Sequence, residues 1–198
     1  MLTVDPRRVR ILIVGGGAAA AGEAELVARA GGSVRVVTVH VGPELQALCA
    51  RIPGVVVEMR DYAPDDVAWA TLVFAASDDA ALNARVADHA LAAGRLVSAP
   101  DGAGSTFHNA IAARAGEIVV AVSTGDVEPL ARRIRDQLGD RIGRPYAEAL
   151  QGLVALRTEL LARGLEERWR DALEALLDED ACAAIERGSF QRRLAAWR

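Results

Sequence analysis

The residues best suited to chemistry come early in the chain. Gly15, Gly17 and Ala20 follow the apolar run Arg10–Val14 and open an alanine-rich stretch, giving the spacing G-x-G-x-x-A. Between a strand and a helix, the first glycine of that pattern permits the tight turn. The second lets a pyrophosphate approach the backbone, and the small third residue lets helix and strand pack closely. The unpaired N–H groups and positive end of the helix dipole then face the phosphates. The competing reading is a glycine turn kept only for close packing. An acid at the end of the second strand commonly holds the ribose of NAD. Here that place reads Val39-His40-Val41-Gly42, and the nearest acid, Glu44, comes about a turn later. No arginine stands there to take a 2′-phosphate, so nothing at that point favours NADP.

These residues need strands and helices to hold them. Arg10–Val14 reads as a short β-branched strand, and Ala18–Ala30 as a helix that stops at Gly31-Gly32. Val34–Val39, Val55–Met59, Thr71–Ala76 and Leu96–Ser98 read as further strands. Helices are expected over Pro43–Ala50 and Asp79–Ala93, the latter with Ser77 as its N-cap. Strands alternating with helices predict βαβ units, and continuous apolar runs suit strands buried on both faces of a parallel sheet. After Pro100 the pattern changes. A helix is expected over Phe107–Ala115, a strand over Ile118–Val122 and a helix over Glu128–Leu138. From about Pro145 the chain reads as helical, through Ala147–Ala162, Glu166–Leu177 and a last helix near Asp180–Ala196. The expected class is therefore α/β: a Rossmann-like doubly wound parallel sheet over residues 1–106, a small α+β segment over 107–144 and an all-α domain over 145–198. The middle segment is too small for a large core of its own, which predicts that it pairs with a second copy.

Composition narrows the function classes. Apolar residues make up 52% of 198 and charged residues 25%, which excludes a disordered chain, a collagen and a disulfide miniprotein. The net charge of −4 argues against broad nucleic-acid binding, which needs a basic face. No apolar run reaches the roughly 20 residues that span a bilayer. Cys49 and Cys182 lie far apart with no metal-type spacing, and are expected to be ordinary buried thiols in a reducing compartment. A soluble cytoplasmic protein is expected.

Three blocks, ILIVGGG, AASDDAALNARVADHA and EIVVAVSTGDVEPLARRIRDQL, together with the tail EERWRDALEALL around Trp169, resemble the siroheme synthase amino-terminal module. That family comprises precorrin-2 dehydrogenases, some of them also sirohydrochlorin ferrochelatases. The resemblance covers nearly the whole chain. It implies a homodimer whose first domain binds NAD, whose central segment exchanges strands across the dimer and serves as the dimerisation segment, and whose helical domain closes a tetrapyrrole cleft. By position the family's NAD contacts fall on Gly15, Gly16, Gly17, Ala18, Ala19, Val39, His40, Ser77 and Asn83. The implied reaction is dehydrogenation of precorrin-2 to sirohydrochlorin, with ferrous iron then inserted by the bifunctional members, a lyase step. The alternative is an altered member that holds a tetrapyrrole, metal or nucleotide without dehydrogenase activity.

Two departures stand out. Where the family turn continues with valine, alanine and then Arg-Lys, this chain reads Ala18-Ala19-Ala20-Ala21-Gly22-Glu23. Where the family carries an aspartate after the fifth strand, an ungapped register places Pro100, with Asp101 one position on. Asp101 is the best available general base, although Pro-Asp-Gly is also an ordinary turn sequence. His108 is a second candidate base or an exposed helix residue, and His89 reads as part of an exposed helix face. Ser77, Asp78 and Asp79 serve either the cofactor edge or a helix cap. Ser123 and Thr124 could receive a substrate carboxylate at a helix N-terminus or simply cap it. Arg132, with Arg133 and Arg135, could meet the substrate's carboxylates or form a solvated face. No protein metal site is expected.

Overall fold

A computed structural model of the chain describes residues 4–100, 104–125 and 127–198. The chain divides into two compact units, Met1–His108 and Asn109–Arg198. In the first, five strands and four helices alternate: β1 (Ile11–Val14), α1 (Ala18–Arg29), β2 (Val34–Thr38), α2 (Pro43–Arg51), β3 (Val55–Met59), α3 (Asp66–Trp69), β4 (Leu72–Ala75), α4 (Ala80–Ala92) and β5 (Leu96–Ser98). The strands form one parallel sheet in the order β3-β2-β1-β4-β5, the doubly wound, Rossmann-like arrangement. Every residue of β1 and β4 is buried, whereas the edge strand β3 is half-exposed.

The pleat of β1 sorts its side chains between two cores. Ile11 and Ile13 pack with Ala20, Ala24 and Val27 of α1 and with Leu45 and Leu48 of α2. Leu12 and Val14 pack on the opposite face with Val67 of α3 and Val86, Ala87 and Ala90 of α4. Alanine dominates the buried face of α1, which lets that helix ride close on the sheet. The chain runs outward from β1 through β2 to β3, then returns to β4 on the other side of β1. The carboxyl ends of β1 and β4 therefore flank the point where strand order reverses, the place where open α/β sheets bind ligands.

The second unit begins with an antiparallel hairpin, β6 (Ile111–Ala115) and β7 (Ile118–Val122), which turns through Gly116 at φ 60°. Helix α5 (Glu128–Arg141) packs on this hairpin, followed by α6 (Arg144–Ala162), α7 (Glu166–Leu176), α8 (Ala181–Glu186) and α9 (Phe190–Ala195). Leu156, Leu160, Leu176, Phe190 and Leu194 form the core of the four later helices.

Four expectations from the sequence are corrected. Phe107–Ala115 is not a helix. Alanine there suggests one, but Ile111–Ala115 pairs residue for residue with the strongly β-forming Ile118–Val122, and tertiary pairing overrides propensity. The last helix is broken into α8 and α9 at Gly188, whose φ is 71°. Cys49 and Cys182 are both exposed rather than buried. Asp79, not Ser77, caps α4, its carboxylate accepting from the Ala81 and Leu82 N–H groups at 2.8 and 3.2 Å.

Leu12 is fully buried between β1 and α4. Leu12→Ala should lower the unfolding free energy of the first unit by about 3 kcal/mol, read from urea denaturation. A loss below about 1 kcal/mol would mean that this core is not close-packed.

Candidate functional site

A cavity of about 410 Å³ opens at the carboxyl ends of the sheet in the first unit. Three walls enclose it: the turn Gly15–Gly17, the end of β2 through Val39 and His40, and the segments Arg60–Tyr62 and Ser77–Asp79 with Leu82 and Arg85 of α4.

The three glycines do different work. A Cβ on Gly15 would lie 2.2 Å from the Ala76 carbonyl oxygen, and Gly15 itself has φ 135°. A Cβ on Gly16 would lie 1.8 Å from the His40 carbonyl oxygen and 2.5 Å from Thr38 Oγ1. Both are required for the ends of β1, β2 and β4 to converge. Gly17 is different. A Cβ there would meet only the Asp78 carboxylate, at 3.5 and 3.9 Å, and Gly17 has an ordinary negative φ of −88°. Packing does not demand glycine at this position. What its missing side chain leaves is open approach to the first turn of α1. That turn has no side-chain cap and no acidic residue, and Ala18 and Ala19 are exposed. Its N–H groups are thus available to an anion, whereas the first turn of α4 is already occupied by Asp79.

The other walls are fastened by hydrogen bonds that the sequence did not disclose. Thr38 Oγ1 donates to the His40 carbonyl at 2.8 Å and accepts from the His40 N–H at 3.2 Å, pinning the chain at the end of β2. Asn83 is buried and does not line the cavity among the described residues. Its amide donates to the Ser77 carbonyl at 2.7 Å and accepts from the Ser77 N–H at 3.0 Å, so it holds the loop that does. Arg60 bridges two carboxylates. It reaches Asp66 at 2.6 and 2.8 Å and also pairs with Glu58, while Asp66 accepts the Ala63 N–H at 2.9 Å. The Arg60 guanidinium holds the buried Asp66 carboxyl below the usual carboxylate range. Tyr62 and His89 share a 3.0 Å hydrogen bond and stack, so His89 is half-buried rather than part of an exposed face. Burial pushes the Tyr62 hydroxyl up to about 12. No arginine stands at the end of β2, yet Arg60, just after β3, and Arg85 of α4 both line the cavity.

A family model described as "Putative NAD(P)-binding" matches residues 2–110, more than half of the chain. The chain belongs to this NAD(P)-binding family. Its curated relatives include the siroheme synthase of Pseudomonas entomophila (strain L48), 39% identical over 169 residues, which cover 84% of this chain and 34% of that protein. The siroheme synthase of Chromobacterium violaceum is 34% identical over 207 residues, covering 96% of this chain and 42% of that protein. The chain spans little more than a third of the length of the siroheme synthases it matches. The solved structure of SirC, precorrin-2 dehydrogenase, superposes with a TM-score of 0.80 at 20% identity, over 100% of this chain and 98% of that one, a likeness of fold. The resemblance to the siroheme synthase amino-terminal module is thereby borne out.

Within this NAD(P)-binding unit, Gly15, Gly16, Gly17, Val39, His40 and Ser77 all line the one cavity, and Ala18 and Ala19 begin the helix beside it. His108 is exposed and is not among the described lining residues. Asp101 lies outside the described residues. Ser123, Thr124 and Arg132 belong to the second unit. There the Thr124 hydroxyl donates to the Val127 carbonyl at 2.6 Å instead of capping α5, and Arg132 pairs with Glu128 one turn away. Among the described residues no group of three or more His, Cys, Asp or Glu side chains is placed to hold a metal ion, and no helix is long and apolar enough to cross a membrane.

The Asp66–Arg60 pair yields a test. Asp66→Ala should cost about 2 kcal/mol at neutral pH, measured by denaturant unfolding. Because the folded-state value of Asp66 is depressed, its contribution is complete above the unfolded value near 3.9 and is lost as pH falls through the folded value. The stability gap between the parent protein and Asp66→Ala should therefore narrow between about pH 5 and pH 3. A gap that stays constant down to pH 3 would show that the pair contributes nothing through charge.

Proposed function

We propose that the chain is an NAD-dependent dehydrogenase that converts precorrin-2 to sirohydrochlorin in siroheme biosynthesis. The observation that carries this reading is Gly17: a glycine with no packing need, set between a cavity and an uncapped helix N-terminus. A backbone anion cradle at the carboxyl end of β1 fits the diphosphate of a dinucleotide. Membership of an NAD(P)-binding family and relatives named siroheme synthase support the same reading.

In this reading the N–H groups of the Gly17–Ala19 turn receive the diphosphate, and Val39 and His40 flank the adenosine. Ser77, fixed by Asn83, borders the opposite side of the cavity. Bound nicotinamide supplies the hydride acceptor. The chain's own contribution is to hold the reacting carbon against that ring and to take up the proton released with the hydride. Asp101, with His108 as second candidate, is the proposed proton acceptor, and Ser123, Thr124 and Arg132 are proposed to meet the tetrapyrrole's carboxylates. A homodimer is the proposed assembly, a ferrochelatase step is the proposed second activity, and the cytoplasm is the proposed location.

Gly17→Val should abolish NAD binding in calorimetry while leaving the urea midpoint nearly unchanged, since a Cβ there meets only the Asp78 carboxylate, at ordinary van der Waals distance. Asp101→Ala should leave NAD affinity intact and lower the absorbance-monitored conversion of precorrin-2 by about 10²–10⁴-fold. Retained turnover would remove Asp101 from the mechanism. NAD binding by the parent protein without any sirohydrochlorin formation would instead favour a member that binds but does not dehydrogenate.

A further inference from the structure

Building on the dinucleotide reading, we infer that the Asp78 carboxylate sets the charge limit of the glycine cradle, admitting the diphosphate diester of a dinucleotide and excluding a diphosphate that ends in a free terminal phosphate.

Asp78 lines the cavity, and both its carboxylate oxygens face the space above Gly17, at 3.5 and 3.9 Å from where a Cβ would lie. Among the described residues, nothing else beyond the chain neighbours of Gly17 comes within 4 Å of that point. The backbone on either side of Asp78 is fastened. Asn83 holds both the N–H and the carbonyl of Ser77, and the Asp79 N–H donates to Ser77 Oγ at 3.0 Å. The charge is therefore held in place beside the first turn of α1, whose N–H groups receive the diphosphate in the dinucleotide reading.

A second acid stands on the other side of the turn. Glu44, in the first turn of α2, places Oε2 at 3.6 Å from a Cβ position on Gly42, and that position lies 3.6 Å from Gly17 Cα. Among the described residues, neither the Asp78 nor the Glu44 carboxylate has a hydrogen-bond or ion-pair partner. The two arginines that line the cavity do not offset them at the turn. Arg60 is bound by Glu58 and Asp66, and Arg85 belongs to the second turn of α4. Asp79 already caps α4, so the helix does not require the neighbouring Asp78 carboxylate.

These charges decide which anions the cradle tolerates. A helix N-terminus amounts to about half a positive charge. The two carboxylates beside it carry a full negative charge each, so every further unit of negative charge on a ligand is repelled there. The hydrogen bonds from the turn hold the ligand at short range, and their number does not grow with its charge. A diphosphate diester has one negative charge on each phosphate. A free terminal phosphate gains close to one more above its second ionisation near pH ~6. The cradle therefore favours the diester, and Asp78, the acid facing the space above Gly17, is the residue that sets the preference.

The experiment is calorimetric titration of the full chain with NAD, ADP-ribose and ADP at about pH 8, where the terminal phosphate of ADP is ionised. The parent protein should bind NAD and ADP-ribose and prefer ADP-ribose to ADP. Asp78→Asn should cut that preference about fivefold, by strengthening ADP more than ADP-ribose. Comparing the ratio between the two proteins cancels the contacts of the second ribose, which ADP lacks. Raising salt from about 0.05 M to about 1 M should shrink the preference of the parent, and shrink it less in Asp78→Asn. Asp78 is exposed, so the urea midpoints of the two proteins should match closely. Equal binding of ADP-ribose and ADP by the parent, a preference unchanged in Asp78→Asn, or a preference that salt does not alter would overturn the charge limit and leave the dinucleotide reading standing. Failure of the parent to bind NAD would overturn both.

Discussion

The site depends on the close approach of three strand ends. The turn after β1 passes within a missing side chain's width of the Ala76 carbonyl on one side and the His40 carbonyl on the other. Two backbone hydrogen bonds record the convergence: Gly15 N–H to the Val37 carbonyl at 3.0 Å, and Gly42 N–H to the Gly16 carbonyl at 2.8 Å. Any side chain at Gly15 or Gly16 would force these ends apart. The cavity would then lose its floor, and the first turn of α1 would no longer face it. The glycines that build the turn and the glycine that opens it are thus separate requirements met by adjacent residues. A motif match in sequence cannot separate them, because all three positions read as glycine.

The parallel sheet was legible because its strands are buried on both faces and so carry continuous apolar runs, as in ILIV of β1 and LVFA of β4. The glycine turn was legible because it falls between such a run and an alanine-rich helix. The hairpin strand Ile111–Ala115 was not. Three of its five residues are alanine, and what makes it a strand is the partner Ile118–Val122 across Gly116. The cavity's far wall was hidden for a related reason. Arg60 and Asp61 lie more than 40 residues from the glycine turn, and only the order β3-β2-β1 brings them beside it. The resemblance implies Asn83 as a cofactor contact by its position in the block AASDDAALNARVADHA. Its burial beneath Ser77 shows a side chain shaping the loop from below.

The edge strand β3 explains why the far wall can be rigid without being buried. Glu58 near its end pairs with Arg60 just beyond it, and Arg35 of β2 pairs with Glu58 at 3.2 Å. The Arg35 guanidinium lies 4.2 Å from the Trp69 ring centroid, and Arg10 approaches the same ring at 5.9 Å. Charge and aromatic surface alternate from β3 to α3, with Asp66 as the one buried carboxylate among the described residues. Isolated surface pairs of this kind are worth little. Here they share partners, and the Asp66 end is desolvated, so the network constrains the loop Asp61–Asp65 more than separate pairs would. Without a sheet neighbour on that side, β3 needs such fastening to hold a wall in place.

The departures from the family turn can be weighed on the same physical basis. Gly22 stands where the family carries a charged side chain. It is exposed, and a Cβ there would meet nothing within 4 Å. Its cost is the ordinary penalty of glycine inside a helix, about 1 kcal/mol relative to alanine. Neither Gly22 nor Glu23 belongs to the turn that meets Ala76 and His40. In the proposed reading the diphosphate is held by backbone N–H groups, which no substitution at position 22 or 23 removes. Losing two positive charges near an anion site weakens long-range attraction, and salt screens that term beyond about 10 Å. The short-range cradle is unaffected. The altered sequence after the turn therefore changes how strongly a dinucleotide is drawn in, while the geometry that receives it is set by Gly15, Gly16 and Gly17.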